Sequence, residues 1–169
     1  MVENVLKIHI FTTKIFYKIM ITFIGDFECR ADSKGRIVLP SVFKKAVGDS
    51  DLRFVARKHL FENCLEIYPY KHWEDLLEQL RKSLNPYNRK HDLLIRKFFK
   101  GATELILDGN GRFLLPKRVM EQIGAERDVV LVGIDKKIEM WAKEVYDSMT
   151  DDADALAALA EEILGKENN

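Results

Sequence analysis

Residues 25–40 read GDFECRADSKGRIVLP, and residues 101–116 read GATELILDGNGRFLLP. Gly25, Glu28, Asp32, Gly35, Arg36, Leu39 and Pro40 return as Gly101, Glu104, Asp108, Gly111, Arg112, Leu115 and Pro116, always 76 residues later. A constant internal period means one supersecondary unit built twice. The repeated positions are not only apolar. They include an Asp-x-x-x-Arg pair wrapped around a glycine turn, so the repeat marks a site as well as a fold.

Reading outward, each copy shows the same succession. In the first, Phe23 to Ala31 is strand-like, Asp32 to Gly35 is a turn, and Arg36 to Leu39 is a short strand. Pro40 then opens a helix, Ser41 to Val47, which Gly48 stops. Strands follow over Arg53 to Arg57 and Cys64 to Tyr68. In the second copy the helix runs from Lys117 to Ile123 before Gly124, and the strands are Val129 to Gly133 and Lys137 to Trp141. The offset falls to 73 at that last strand, which places a three-residue shortening in the loop before it. The strand–helix–strand order of each unit is βαβ-like.

Three amphipathic stretches lie outside the repeated units. Trp73, Leu76, Leu77, Leu80 and Leu84 form one helical stripe, ended by Asn85-Pro86. Asn88 to Lys100 carries Leu94, Ile95, Phe98 and Phe99, and the C-terminal segment carries Leu156, Leu159, Ala160 and Ile163. All three are expected to pack on the chain's own sheet or on a neighbouring subunit. The resulting division is an N-terminal extension over 1–19, a first repeat over 20–70, a helical connector over 71–97, a second repeat over 98–143 and an acidic helical tail over 144–169. Residues 1–19 read either as unordered or as an added edge strand, with Met20 as an alternative start.

Composition narrows the functional classes. The 169 residues are 47% apolar and 32% charged, the profile of a globular protein. The formal charge of zero hides an asymmetry: residues 144–169 carry −7, so the rest carries +7. A basic body suits an anionic partner such as nucleic acid, although solvated surface charge explains the count equally well. From Arg81 to Lys100 there are seven basic residues and one acidic. Lys7, Lys14 and Lys18 interrupt the apolar start, so no membrane span and no secretory signal is expected. Cys29 and Cys64 fit no metal or disulfide spacing, and the four histidines are scattered. Reduced thiols, no metal and no cofactor are therefore expected.

The repeated turn carries the chemistry. An Asp at its first position accepts backbone N–H bonds two or more residues on and closes the turn. Gly35 and Gly111 supply a positive φ without steric cost. Arg36 and Arg112 then emerge at a strand start, where Asp32 and Asp108 are placed to pair with and aim them. Two aimed guanidiniums are readers of phosphates or guanine edges. Lys34 shares the first turn, and Lys117 and Arg118 follow the second. A wholly structural turn is the alternative, favoured for one copy and less so for two. Catalysis is not indicated: there is no nucleophile–base pair, no metal cluster and no phosphate-cradling loop before a helix.

At these residues the chain resembles the MraZ family, bacterial regulators built from two AbrB-like (SpoVT-AbrB) half-units. The resemblance spans Met20 to about Met149. It rests on both Asp-x-x-x-Arg motifs, Phe23 to Gly25, the Phe98 to Ala102 run and Ile138 to Trp141. It implies an α+β fold, a double-repeat swapped-hairpin (AbrB-like) β-barrel with flanking helices, assembled into a ring-shaped homo-oligomer. It implies sequence-specific binding of double-stranded DNA at repeated promoter boxes, as a repressor of the division and cell-wall gene cluster and of its own promoter. A cytoplasmic, nucleoid-associated location goes with that role. The DNA-binding residues so implied are Asp32, Arg36, Asp108 and Arg112, with Lys34 second. The competing reading is an oligomeric scaffold or protein-interaction module that uses the same barrel without DNA.

Overall fold

The computed structural model describes residues 21–48, 52–149 and 153–165; the extension expected over 1–19 lies outside them. The first copy contributes β1 (Phe23–Arg30), β2 (Arg36–Val38), α1 (Ser41–Val47), β3 (Arg53–Lys58) and β4 (Leu65–Pro69). Helices α2 (Tyr70–Ser83) and α3 (Arg89–Phe99) connect the copies. The second copy contributes β5 (Thr103–Ile106), β6 (Arg112–Leu114), α4 (Lys117–Glu121), β7 (Asp128–Asp135) and β8 (Lys137–Ala142), followed by α5 (Lys143–Asp147) and α6 (Ala153–Leu164). The protein is thus α+β.

The strands of the two copies interleave. Six of them form one sheet in the order β1-β7-β8-β4-β3-β5, while β2 and β6 form a separate two-stranded ribbon. Exchanging the copies reverses that order and leaves it unchanged, so the sheet has a pseudo-two-fold axis. The first strand of each copy pairs with the third strand of the other. Registers locate the axis: Ile37 faces Phe113 in the ribbon, and Glu66 faces Glu139 between β4 and β8. Every pairing among the described residues is antiparallel. The βαβ-like order therefore builds no parallel sheet, because the partner of each strand comes from the other copy.

One apolar core serves both copies. Ile37, Phe43, Phe54 and Ile67 from the first pack with Phe113, Val119, Leu131 and Ile138 from the second, all buried. Phe43 in α1 meets the edges of Phe23 and Phe27, with ring centroids 5.4 and 5.0 Å away. A satellite cluster holds the connector down. Trp73 of α2 stacks on Phe98 of α3 at 5.5 Å, and both pack against Val55 of β3. Stacked aromatics of this kind contribute about 0.5–1.5 kcal/mol beyond the area they bury.

Boundaries moved slightly from the sequence reading. The helix expected over Lys117 to Ile123 ends at Glu121, and β4 begins at Leu65 rather than Cys64. Asn88 is not the first helical residue of α3 but its cap, accepting from the backbone N–H groups of Lys90 and His91. The loop between β7 and β8 is shorter than that between β3 and β4, one residue against six, because β7 runs two residues past the expected Gly133 in addition to the three-residue shortening. The C-terminal stripe does not cover the chain's own sheet. Leu156, Leu159, Ile163 and Leu164 are all exposed on α6.

A charged cluster that no sequence motif announces sits on the axis. Glu66 and Glu139 stand directly opposite, an arrangement that destabilises a ladder when like charges are left bare. The Lys137 ammonium lies between them, 2.5 Å from Glu66 and 2.9 Å from Glu139. The buried Arg57 guanidinium pairs with Glu66 and lies 4.2 Å above the Phe98 ring. Desolvation works against the Lys137 charge, yet its two carboxylate bonds outweigh that and raise its pKa. His59 Nε2 lies 3.4 Å from Glu66, so His59, Glu66 and Glu139 converge, with protein cations already among them.

Candidate nucleic-acid interface

The two Asp-x-x-x-Arg turns have the same geometry. Asp32 Oδ1 accepts the backbone N–H groups of Lys34 and Arg36, each at 2.9 Å. Its Oδ2 accepts Arg36 Nε at 2.6 Å and pairs with Nη2 at 2.6 Å. Asp108 does the same with Asn110 N at 2.8 Å, Arg112 N at 3.0 Å, and Arg112 Nε and Nη2 each at 2.9 Å. The backbone closes behind, since Gly35 and Gly111 N–H donate to Asp32 and Asp108 carbonyls at 2.9 Å. Gly35 and Gly111 have φ of 80° and 70°, in the left-handed region. A Cβ on Gly35 would also come within 3.0 Å of the Leu115 carbonyl. The first turn therefore demands glycine on two counts, and the second on its positive φ alone.

These contacts set the protonation of the carboxylates. The Arg36 side-chain bond, helped by its backbone N–H, holds the Asp32 carboxyl down from 3.8 to about 2. The same partners, in the same order, lower Asp108. Both stay ionised at any physiological pH, and each guanidinium is clamped along its Nε–Nη2 edge. Among the described residues, Nη1 and the second N–H of Nη2 have no protein acceptor, so they can meet an outside one. The side chains of Arg36 and Arg112 are 32% and 27% exposed, so neither is locked in the interior.

The ribbon brings both turns onto one surface. Leu39 N–H donates to Gly111 O at 2.9 Å and Leu115 N–H to Gly35 O at 3.0 Å, which extends the ladder at both ends. Successive side chains on a strand point to opposite faces. Ile37 and Phe113 are buried, at 0% and 1% exposure. Arg36, Val38, Arg112 and Leu114 consequently share the outer face, Arg36 opposite Leu114 and Val38 opposite Arg112. The two arginines are diagonal neighbours, about 7–8 Å apart at the backbone.

Of the other basic residues singled out, Lys34 is exposed and Lys117 faces Glu121 at 3.6 Å. Arg118 donates instead to Thr103 Oγ1 at 2.9 Å, which commits it to the protein. A cleft of about 750 Å³ runs beside the first turn, and Asp32, Lys34, Lys117 and Arg127 line it. Arg127 was not picked out from sequence. Burial raises the pKa of Cys29 and pushes Cys64 up to about 12, so neither is a thiolate nucleophile near neutral pH.

The fold and this surface define a pseudo-symmetric, double-repeat α+β protein with a doubled Asp–Arg turn. A family model described as "MraZ protein, putative antitoxin-like" matches residues 22–94 and again 98–165. Relatives agree. A protein of Bacteroides fragilis named transcriptional regulator MraZ is 39% identical over 149 residues, covering 88% of this chain and 94% of the relative. Proteins of the same name from Bacteroides thetaiotaomicron and Desulforamulus reducens are each 40% identical, covering 88% and 84% of this chain and 96% and 97% of theirs. The chain belongs to the MraZ family, and these three relatives bear the names of regulators and not of enzymes. Among the described residues, no helix is long and apolar enough to cross a membrane.

Proposed function

We propose that this chain is a DNA-binding transcriptional regulator whose β2–β6 ribbon and flanking turns face the duplex. The observation that carries the reading is the pair of Asp-clamped arginines on one outward face. B-DNA's major groove admits a two-stranded ribbon, and a bidentate arginine on guanine discriminates by about 1–3 kcal/mol. Asp32 and Asp108 fix the direction of Arg36 and Arg112, and Lys34 adds phosphate contact. The second turn has Asn110 where the first has Lys34, so it contributes less to the backbone grip.

Assembly supplies the affinity. One ribbon spans few base pairs, whereas several identical subunits on spaced boxes act at a high effective concentration. The apolar face of α6, exposed at Leu156, Leu159, Ile163 and Leu164, favours a homo-oligomeric ring. The cross-pairing of first and third strands between copies favours a swapped-hairpin barrel as the ancestral plan. In this reading the regulator represses its own promoter and the division and cell-wall gene cluster, in the cytoplasm at the nucleoid.

A binding titration on the chain's own upstream DNA tests it, with native mass measured in parallel. Arg36→Ala and Arg112→Ala are expected to abolish specific retention while leaving the assembly mass unchanged. Affinity is expected to fall with salt at about 0.9 log units per log unit for each phosphate neutralised. Normal binding by Arg36→Ala overturns the assignment.

A further inference from the structure

We propose that Val38 and Leu114 are specificity-determining residues that read thymine 5-methyl groups in the major groove. This rests on the ribbon being the DNA-facing element. The starting point is an exception to strand economy. In both ribbon strands the residue two places after the site arginine is a large aliphatic side chain turned to solvent, Val38 at 57% and Leu114 at 56% exposure. The two occupy equivalent positions in the repeat, 76 residues apart. They are related by the same pseudo-two-fold axis that relates the arginines.

Neither residue serves the core, because the inward positions belong to Ile37 and Phe113. Each stands directly across the ladder from the arginine of the other copy, Val38 from Arg112 and Leu114 from Arg36. Opposed side chains on one face have Cβ atoms about 4.5–5.5 Å apart. The outward surface is therefore four side chains, two cationic on one diagonal and two aliphatic on the other. The arginines commit this face to a polyanion and to the acceptor edges of bases. Within the major groove, the apolar feature of a base edge is the thymine methyl. An aliphatic pair set between two guanidiniums fits that feature, and each buried methyl is worth roughly a fourfold gain in affinity.

The test uses the chain's upstream duplex made in two forms, with thymine throughout or with deoxyuridine in its place. Wild-type protein is expected to bind the uracil form on the order of tenfold more weakly, for two methyls lost. Val38→Ala with Leu114→Ala is expected to bind the thymine form as weakly as wild type binds the uracil form, and to show no thymine preference. Val38→Ile is expected to keep it. The native mass of the double variant should equal that of wild type. An unchanged thymine preference in the double variant overturns the inference, as does a wild type that ignores the substitution. A double variant that loses its assembly mass also overturns it, since the pair would then be a contact between subunits. Failure here is distinguishable from failure of the DNA reading. In the first case Arg36→Ala still loses binding while the methyls are irrelevant; in the second, wild type itself does not retain the duplex, and both fall.

Discussion

Replacing Phe113 by alanine tests whether the arginines are held where they are by the core beneath them. The ribbon has three residues per strand, and its inward face consists of Ile37 and Phe113. At 1% exposure, Phe113 loses both its transfer energy and its packing when truncated. Fully buried phenylalanines cost about 3–5 kcal/mol on this change. That is a large part of the roughly 5–15 kcal/mol that holds a domain folded. At about 2–4 °C per kcal/mol for a chain this size, the midpoint should fall by about 6–20 °C. Urea unfolding followed by circular dichroism, at one fixed protein concentration so that self-association would weigh equally on each variant, gives the number. Leu114→Ala is the internal control. It is the next residue along, on the exposed face, and should change stability by less than about 0.5 kcal/mol. If Phe113→Ala costs under about 1 kcal/mol, or Leu114→Ala costs as much, the assignment of inner and outer faces is wrong. So then is the surface built on it.

Asp32 should titrate with a midpoint near 2 by carboxyl NMR, and Asp108 below the ordinary 3.8. Because folding lowers these values, their contribution is complete above 3.8 and is lost as pH falls from there through about 2; a midpoint at 3.8 for Asp32 would mean that no clamp exists. Gly35→Ala should destabilise by at least about 1 kcal/mol, through its positive φ and the Leu115 carbonyl, and a neutral effect in a thermal melt would contradict the turn geometry. Lys137→Met leaves Glu66 and Glu139 opposed, and should cost about 3 kcal/mol, the low end for a broken buried pair because Arg57 still meets Glu66. Adding Glu139→Gln should recover much of that loss in a double-mutant cycle, and full additivity would show that the two do not interact.

Much of the fold was legible because local signals agreed with one another. Pro40 and Pro116, each followed by a helix, and the glycine turn that opens the short apolar strand of each copy set element type to within a residue or two. The Asp–Arg clamp was legible too, since the turn's hydrogen bonds are local and its glycines have one use. Strand partnership was not. Nothing in a period of 76 says whether β1 pairs within its own copy or with β7, which is a matter of long-range packing. The axial charge cluster escaped for the same reason: Glu66 and Lys137 are 71 positions apart, and Lys137 reads as any surface lysine until β4 lies beside β8. Val38 and Leu114 were visible only as members of short apolar strands. Their outward turn follows from which neighbours are buried.

Fusing the two half-units into one polypeptide has a consequence for how such a molecule can be oriented. A dimer of identical halves is bound to treat both strands of a duplex alike. Here the halves have been free to drift, with Ser33-Lys34 in one turn and Gly109-Asn110 in the other, and Ile37 answering Phe113 across the ribbon. A molecule so built has a left and a right, so a duplex lying on the ribbon in the proposed way would be read in one direction and would not need to be a palindrome.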